Sequence, residues 1–148
     1  MVKPGLLDVN SLIGLLWSEH DFHAACVRWM ESSRSAGWAT CAITEAGLVR
    51  VLCNPAFTAN PPSVHGAIQL LKAATESQPS HRFWKDELPL SQLALRWKPP
   101  LGHKQVTDAY LLALADHHKG TVVTFDTRMQ HLAKMGHFAV DGITVLKR

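Results

Sequence analysis

Short apolar runs alternate along the chain with segments in which apolar residues recur every three or four positions. The runs predict β-strands at 5–9, 38–41, 81–84, 121–125 and 143–146. The recurring segments predict helices at 11–17, 20–35, 43–53, 63–76, 90–97, 104–119 and 129–135. We expect Asn10 or Ser11 to cap the first helix. Thr107 is the expected cap of the long helix, which Gly120 should end.

Strands that alternate with helices through short connections imply right-handed crossovers and a mostly parallel sheet. The pattern therefore predicts an α/β fold, with a central sheet of about four to five strands and helices on both faces in a three-layer α/β/α sandwich. No linker, repeat or low-complexity segment interrupts it, so residues 1–148 are expected to form one domain. In such sheets the loops at the carboxyl ends of the strands converge and carry the reactive groups.

The composition fits a soluble domain with its own core, since 47% of the 148 residues are apolar and 18% are charged. No apolar run is long enough for a membrane span, and Asp8 and Asn10 interrupt the first apolar run, so neither a signal peptide nor an anchor is expected. Three cysteines, Cys26, Cys41 and Cys53, lack metal or redox spacing, which predicts buried thiols in a cytoplasmic protein. The net charge of +3 permits a polyanionic partner without requiring one.

Four acids stand where a solvated surface carboxylate is not expected. Asp8 and Asp126 end apolar strands, while Glu45 and Asp108 lie in the opening turns of helices. Any one of them could simply favour a helix N-terminus, where free N–H groups stabilise a carboxylate. Four converging carboxylates, however, repel one another and need a cation. Oxygen ligands suit Mg²⁺ or Mn²⁺, and such a site supports hydrolysis of a phosphodiester without a nucleophilic side chain.

These acids lie in segments that resemble the four acidic motifs of PIN-domain ribonucleases, specifically the VapC-type toxins of bacterial toxin–antitoxin pairs. The segments are LLDVN at 6–10, TE at 44–45, VTDAYLLALA at 106–115 and VTFD at 123–126. The resemblance spans most of the chain and implies a PIN-like fold and a Mg²⁺- or Mn²⁺-dependent endoribonuclease. Its implied catalytic and metal-binding residues are Asp8, Glu45, Asp108 and Asp126.

The same resemblance implies biological partners. It implies cleavage of RNA that inhibits translation, a homodimer, and inhibition by a VapB-type antitoxin whose C-terminal segment covers the acidic cleft. Two other interpretations of the function remain open. One is a PIN nuclease that processes RNA outside a toxin–antitoxin pair. The other is a catalytically silent RNA- or protein-binding module that keeps the acids for helix capping.

Further residues are candidates for supporting roles. Asn10 and Thr124 could orient ligands from an outer shell, although Asn10 could equally be only a helix cap. The RNA-binding candidates are Arg128, Lys104 and Lys98. Trp97 could stack on a base beside these cations or pack inward.

Two other groups are set aside. Asp116 lies on the same helix as Asp108 but about 80° around its axis, at roughly 100° per residue, so a solvated position is expected. His20, His23 and Cys26 recur every three residues, as zinc ligands can. A fourth ligand is lacking nearby, so a solvent-facing stripe is the preferred interpretation.

Overall fold

Five short strands form a single parallel sheet. The computed structural model describes residues 2–98 and 100–148. The strands are β1 (Gly5–Leu7), β2 (Trp38–Thr40), β3 (His81–Phe83), β4 (Thr121–Thr124) and β5 (Ile143–Val145). Their spatial order is β3-β2-β1-β4-β5, and every neighbouring pair is parallel. The predicted α/β fold is confirmed. The segment predicted as the third strand, at 81–84, forms β3.

Helices cover both faces of this sheet. They are α1 (Val9–Leu16), α2 (His23–Ser32), α3 (Ala42–Leu52), α4 (Val64–Ser77), α5 (Leu93–Arg96), α6 (Val106–His117) and α7 (Arg128–Met135). Because neighbouring side chains of a strand point to opposite faces, Leu6 and Val122 belong to one core, with α5, α6 and α7. Leu7 and Val123 belong to the other, with α1, α3 and α4. The result is an α/β/α sandwich.

The strand order creates a crevice at the carboxyl edge of the sheet. From β1 in the centre, the chain adds β2 and β3 on one side and then crosses to add β4 and β5 on the other. The connections after β1 and β4 therefore leave the sheet on opposite faces, which opens a crevice between these two strands. Asp8 follows β1, and Asp126 follows β4 by two residues.

Both predicted caps are wrong. Asp8, with extended backbone, caps α1 and accepts a hydrogen bond from the Ser11 N–H at 2.9 Å. Because α1 starts at Val9, Asn10 and Ser11 lie inside the helix. The long helix α6 follows a 3₁₀ turn (His103–Gln105), so Thr107 lies inside it and no side chain caps it.

Two residues at the end of α6 meet different needs, one of backbone conformation and one of space. Lys119, rather than Gly120, adopts the left-handed conformation, with φ of 55°. Gly120 is needed for space: a Cβ there would lie 2.6 Å from the Pro4 carbonyl oxygen and 2.7 Å from the Trp84 ring. The backbone of β4 thus enters the sheet between a fixed carbonyl and a buried indole.

Two composition-based expectations can be compared with the structure. Cys26, Cys41 and Cys53 are all free thiols; the first two are buried, but Cys53 is partly exposed, against expectation. Over residues 2–98 and 100–148, no helix is both long and apolar enough to cross a membrane.

We predict that Gly120→Ala destabilises the fold by about 1–3 kcal/mol, the usual cost of an overpacked site, because the Pro4 carbonyl cannot move away. Chemical denaturation measures the free energy of unfolding. Gly102→Ala is the matched control, since its Cβ would meet only the Gln105 side chain, at 3.4 Å. Equal stability of the two variants would contradict the prediction.

Candidate active site

Three of the four predicted carboxylates converge at the crevice between β1 and β4. Asp8 and Asp126 lie at the ends of these strands, and Asp108 lies in the first turn of α6. The charge of Asp126 acts on Asp8, and the charges of both act on Asp108. The sheet and one helix therefore bring together residues that are up to 118 positions apart, 126 minus 8, in the sequence.

Asp8 has two roles in this arrangement. Its side chain caps α1, and the residue is only 8% exposed. Burial raises the pKa of Asp8, the Asp126 charge raises it further, and hydrogen bonds from Thr124 and Ser11 oppose the rise. Thr124 is fully buried, and its Oγ1 also accepts a hydrogen bond from the Asp126 N–H at 3.0 Å. Thr124 thus connects two of the three carboxylate residues.

Asp108 carries the clearest sign of uncompensated charge. Burial and the negative charges of Asp8 and Asp126 raise its pKa to about 6, while Arg128 acts in the opposite direction. The ionised form of Asp108 is therefore less stable in the acid cleft than in water, and a bound cation would offset that cost.

Asp126 is held by Arg128. The Arg128 guanidinium donates hydrogen bonds to both carboxylate oxygens, at distances of 2.8 to 3.1 Å. These contacts lower the pKa of Asp126. The Arg128 side chain is 90% exposed, so little besides this pairing holds it in place.

Two of the three predicted cations lie at the carboxylates. A cavity of about 270 Å³, which we call the acid cleft, is lined by Lys104, Asp108, Asp126 and Arg128, among others. Lys98 is exposed on the loop after α5, before the 3₁₀ turn that carries Lys104. The acid cleft thus combines carboxylates with a lysine and an arginine that can neutralise a phosphate.

Glu45 lies in the first turn of α3 and contacts the end of β2. Its Oε2 accepts a hydrogen bond from the Thr40 hydroxyl at 2.6 Å, and Thr40 Oγ1 also contacts Nε2 of His81 at 2.8 Å. A hydroxyl has one hydrogen, so with Glu45 ionised His81 must donate to Thr40. Burial lowers the pKa of His81 and so favours the neutral ring, whose hydrogen would then be on Nε2.

Sequence reasoning missed Thr40 and His81. The one available signal was their position: Thr40 ends β2 at the same sheet edge as the acids, and His81 begins the neighbouring β3. Their link to Glu45 depends on strand pairing between residues 41 positions apart.

The structure decides between the interpretations of Trp97. It packs inward, 4% exposed, and donates its indole N–H to the Leu132 carbonyl at 3.0 Å. A base-stacking role for this residue is therefore wrong. Asp116 is exposed and pairs with Arg96 at 3.0 Å, as the expectation of a solvated position requires.

The histidine and cysteine series is neither a zinc site nor a solvent-facing stripe. Cys26 is buried and donates to the Ser11 carbonyl, and a ring nitrogen of His23 lies 2.8 Å from the Gly14 carbonyl oxygen. Within the described residues, the group that could hold a metal by proximity is Glu87, His117 and His118. His117 ends α6, so it lies about 14 Å along the helix axis from Asp108, at roughly 1.5 Å per residue, and outside the acid cleft.

A parallel α/β sheet with carboxylates at its crevice is the arrangement of a PIN domain, and residues 5–135 match the PIN domain family. Relatives from Mycobacterium tuberculosis refine the assignment. Ribonuclease VapC39 is 42% identical over 132 residues, covering 88% of this chain and 94% of the relative. Ribonuclease VapC44 is 44% identical over 122 residues, covering 82% and 84%, and Ribonuclease VapC38 is 40% identical over 131, covering 87% and 89%. The chain belongs to the PIN-domain family, in the group of these VapC ribonucleases.

We predict that Asp108→Asn stabilises the metal-free protein at neutral pH. An acid whose folded pKa is about 6, above its ordinary 3.8, makes the free energy of unfolding fall as pH rises through that interval. The variant should therefore gain up to about 3 kcal/mol above pH 7, at 1.36 kcal/mol per pKa unit, and the gain should vanish near pH 4.

Thermal and urea unfolding in EDTA across this pH range measure the effect. Asp116→Asn, an exposed acid on the same helix, is the control and should show no such gain. A loss of stability in Asp108→Asn that is the same at every pH would contradict the prediction.

Proposed function

We propose that this protein is a Mg²⁺- or Mn²⁺-dependent endoribonuclease that hydrolyses RNA phosphodiester bonds, and that it acts as the toxin of a type II toxin–antitoxin pair by inhibiting translation. One observation carries the proposal. A chain related to VapC ribonucleases brings Asp8, Asp108 and Asp126 together with too little positive charge to balance them.

The donor set fits a hard divalent cation. Carboxylate oxygens are the ligands that Mg²⁺ and Mn²⁺ prefer, and the raised pKa values of Asp8 and Asp108 mark charge that such a cation would offset. Asp8, Asp108 and Asp126 would hold it, and Glu45, one strand away, completes the proposed set. When bound, the cation supplies an activated water and stabilises the leaving oxygen of the phosphodiester.

Other residues on the elements that carry the carboxylates, or in loops next to them, complete the proposal. Thr124 keeps Asp8 and Asp126 in register through its single hydroxyl. Lys104 and Arg128 bind the RNA phosphate. Arg128 uses Nε and Nη2 on Asp126, so its Nη1 hydrogens are available to a phosphate. Asn10 orients one of the metal ligands without binding the metal itself, and Lys98 adds a more distant contact with the RNA backbone.

We also propose the assembly that this function requires. The protein is a cytoplasmic homodimer, and a VapB-type antitoxin inhibits it by covering the carboxylates. Support comes from an open cavity of about 630 Å³ beside Glu45, lined by apolar side chains that include Val49, Val64, Ile68 and Phe83. Three of these, Val64, Ile68 and Phe83, are 46–58% exposed, and an apolar surface of this kind favours a protein partner.

We predict that Asp8→Asn abolishes RNA cleavage while the protein stays folded. Asparagine caps a helix as well as aspartate does, so the substitution removes the charge and preserves the start of α1. Cleavage of single-stranded RNA by wild-type protein should require Mg²⁺ or Mn²⁺ and should fall at least a hundredfold in the variant. Induced expression should arrest growth only with the wild type.

The control is Asp116→Asn, which should cleave RNA at the wild-type rate. Metal addition should raise the Tm of the wild type more than that of Asp8→Asn, since binding to the folded state alone is stabilising. Metal-independent cleavage, or full activity of Asp8→Asn, would overturn the proposal. A wild type that binds RNA but never cuts it would identify a silent binding module instead.

Arg128→Ala should strengthen metal binding and weaken RNA binding. Removing the guanidinium frees both Asp126 oxygens for a cation and deletes a phosphate contact. We expect the Kd for Mn²⁺, measured by calorimetry without RNA, to fall severalfold, and the Kd for RNA in Mg²⁺ to rise. Arg34→Ala, at an exposed arginine in the loop after α2, should change neither value. An unchanged Kd for Mn²⁺ would refute the competition between Arg128 and the cation.

A further inference from the structure

A second cavity opens next to the acid cleft. It has a volume of about 510 Å³, and its lining includes Asn10 and the rings of Trp17, Phe22, Phe57 and Phe125. We call it the aromatic pocket. Its size falls within the range of roughly 300–1,000 Å³ that is usual for small-ligand sites, and none of the roles assigned above explains its aromatic lining.

The aromatic pocket and the acid cleft meet at the turn after β4. Phe125 directly precedes Asp126, and Asn10 follows Asp8 by two residues. Adjacent Cα atoms are about 3.8 Å apart, so the backbone places the two cavities side by side. RNA whose phosphate lies at the carboxylates therefore has a flanking nucleotide within reach of the aromatic pocket.

Two of the rings pack on each other rather than in a core. Phe22 and Phe125 are stacked, with centroids 4.2 Å apart and planes 16° from parallel. In the described part of the chain, neither belongs to the two hydrophobic cores of the sandwich, and both are only partly buried. Exposed aromatic rings beside a nucleic-acid backbone site are typical stacking surfaces for bases.

The loop that carries Phe22 is fixed before any ligand binds. The Phe22 N–H donates to Nδ1 of His20 at 3.1 Å, and the His20 ring lies 5.6 Å from that of Phe125. Nδ1 of His23 lies 2.8 Å from the Gly14 carbonyl oxygen, which ties the start of α2 to α1. A preformed surface binds a base with less loss of conformational entropy.

Charge separates the two cavities. Besides Asn10, the aromatic pocket has Glu19, Asp21 and Thr58 in its lining; Arg148 pairs with Asp21 at 2.9 Å and lies 5.2 Å from the centre of the Phe22 ring. Of its two carboxylates, Glu19 can accept hydrogen bonds from the amino group of a base. Lys104 and Arg128 line the acid cleft instead. This division suits a phosphate in the acid cleft and a base in the aromatic pocket.

We propose that the aromatic pocket is a nucleobase subsite, in which the base of a nucleotide flanking the scissile phosphodiester of single-stranded RNA stacks on an outer face of the Phe22–Phe125 pair. The inference rests on the proposed ribonuclease function, because the acid cleft fixes the position of the RNA backbone. The subsite gives the enzyme a base preference at one fixed position from the cut.

The first test uses a pool of randomised single-stranded RNA oligonucleotides, with the ends of the cleavage products sequenced. Wild-type protein should show a base preference at one fixed position beside the cut. Phe22→Leu and Phe125→Leu, on two different elements, should each reduce that preference at least fivefold and leave other positions unchanged. Phe138→Leu, at an aromatic residue that packs on Trp97, should keep the wild-type profile. Cleavage without such a preference, or with one unchanged in both Phe variants, would overturn the subsite and leave the ribonuclease proposal intact.

The second test measures stacking without cleavage. In an Asp8→Asn background with Mg²⁺, oligonucleotides with 2-aminopurine at successive positions should show strong fluorescence quenching at one position. Adding Phe22→Leu should abolish that quenching, and adding Phe138→Leu should not. Quenching that depends on Phe22, in a protein whose wild type cuts no RNA, would overturn the ribonuclease proposal and support the subsite. RNA binding without position-specific quenching would assign the aromatic pocket to another occupant and overturn the subsite.

Discussion

Burial of three carboxylates that also repel one another at the sheet crevice is the constraint on which the site depends. The strand order makes β1 and β4 neighbours, so the residues that follow these two strands lie close together. Helix α6 then adds a third carboxylate against the same crevice. The fold therefore accepts an unfavourable interaction that its apolar cores must offset, and such local cost at a crevice is typical of a functional site.

The chain compensates each of these carboxylates by a different means. Asp8 receives hydrogen bonds from the helix that it caps and from Thr124. Asp126 pairs with Arg128. Asp108 has no comparable partner in the described chain, and its raised pKa reports the remaining imbalance. Two of the carboxylates therefore have local partners and the third does not, so the acid cleft keeps uncompensated negative charge. A divalent cation that prefers carboxylate ligands would balance it.

The sequence predicted the fold well because the strands are apolar runs and the helices are periodic, and both signals are local. It also predicted four acids at this edge of the sheet, because position after a strand, together with topology, fixes where a residue lies; the charges of Asp8, Asp108 and Asp126 do act on one another. What the sequence could not predict is the direction and the contacts of particular side chains. Glu45 turns toward Thr40 and His81, which strand pairing brings near. Trp97 packs inward to reach a carbonyl 35 residues away. Asp8, rather than Asn10 or Ser11, is the N-cap of α1, because this helix begins directly after β1.

The two edges of the sheet are formed by short strands. Strands β3 and β5 form them, and each is three residues long. The exposed Arg82 lies in β3, and Lys147 and Arg148 closely follow β5. Short borders with cations resist pairing with another sheet. Growth of the sheet from one molecule into the next is therefore disfavoured, and copies of this chain that associate must do so through the outer surfaces of their helices.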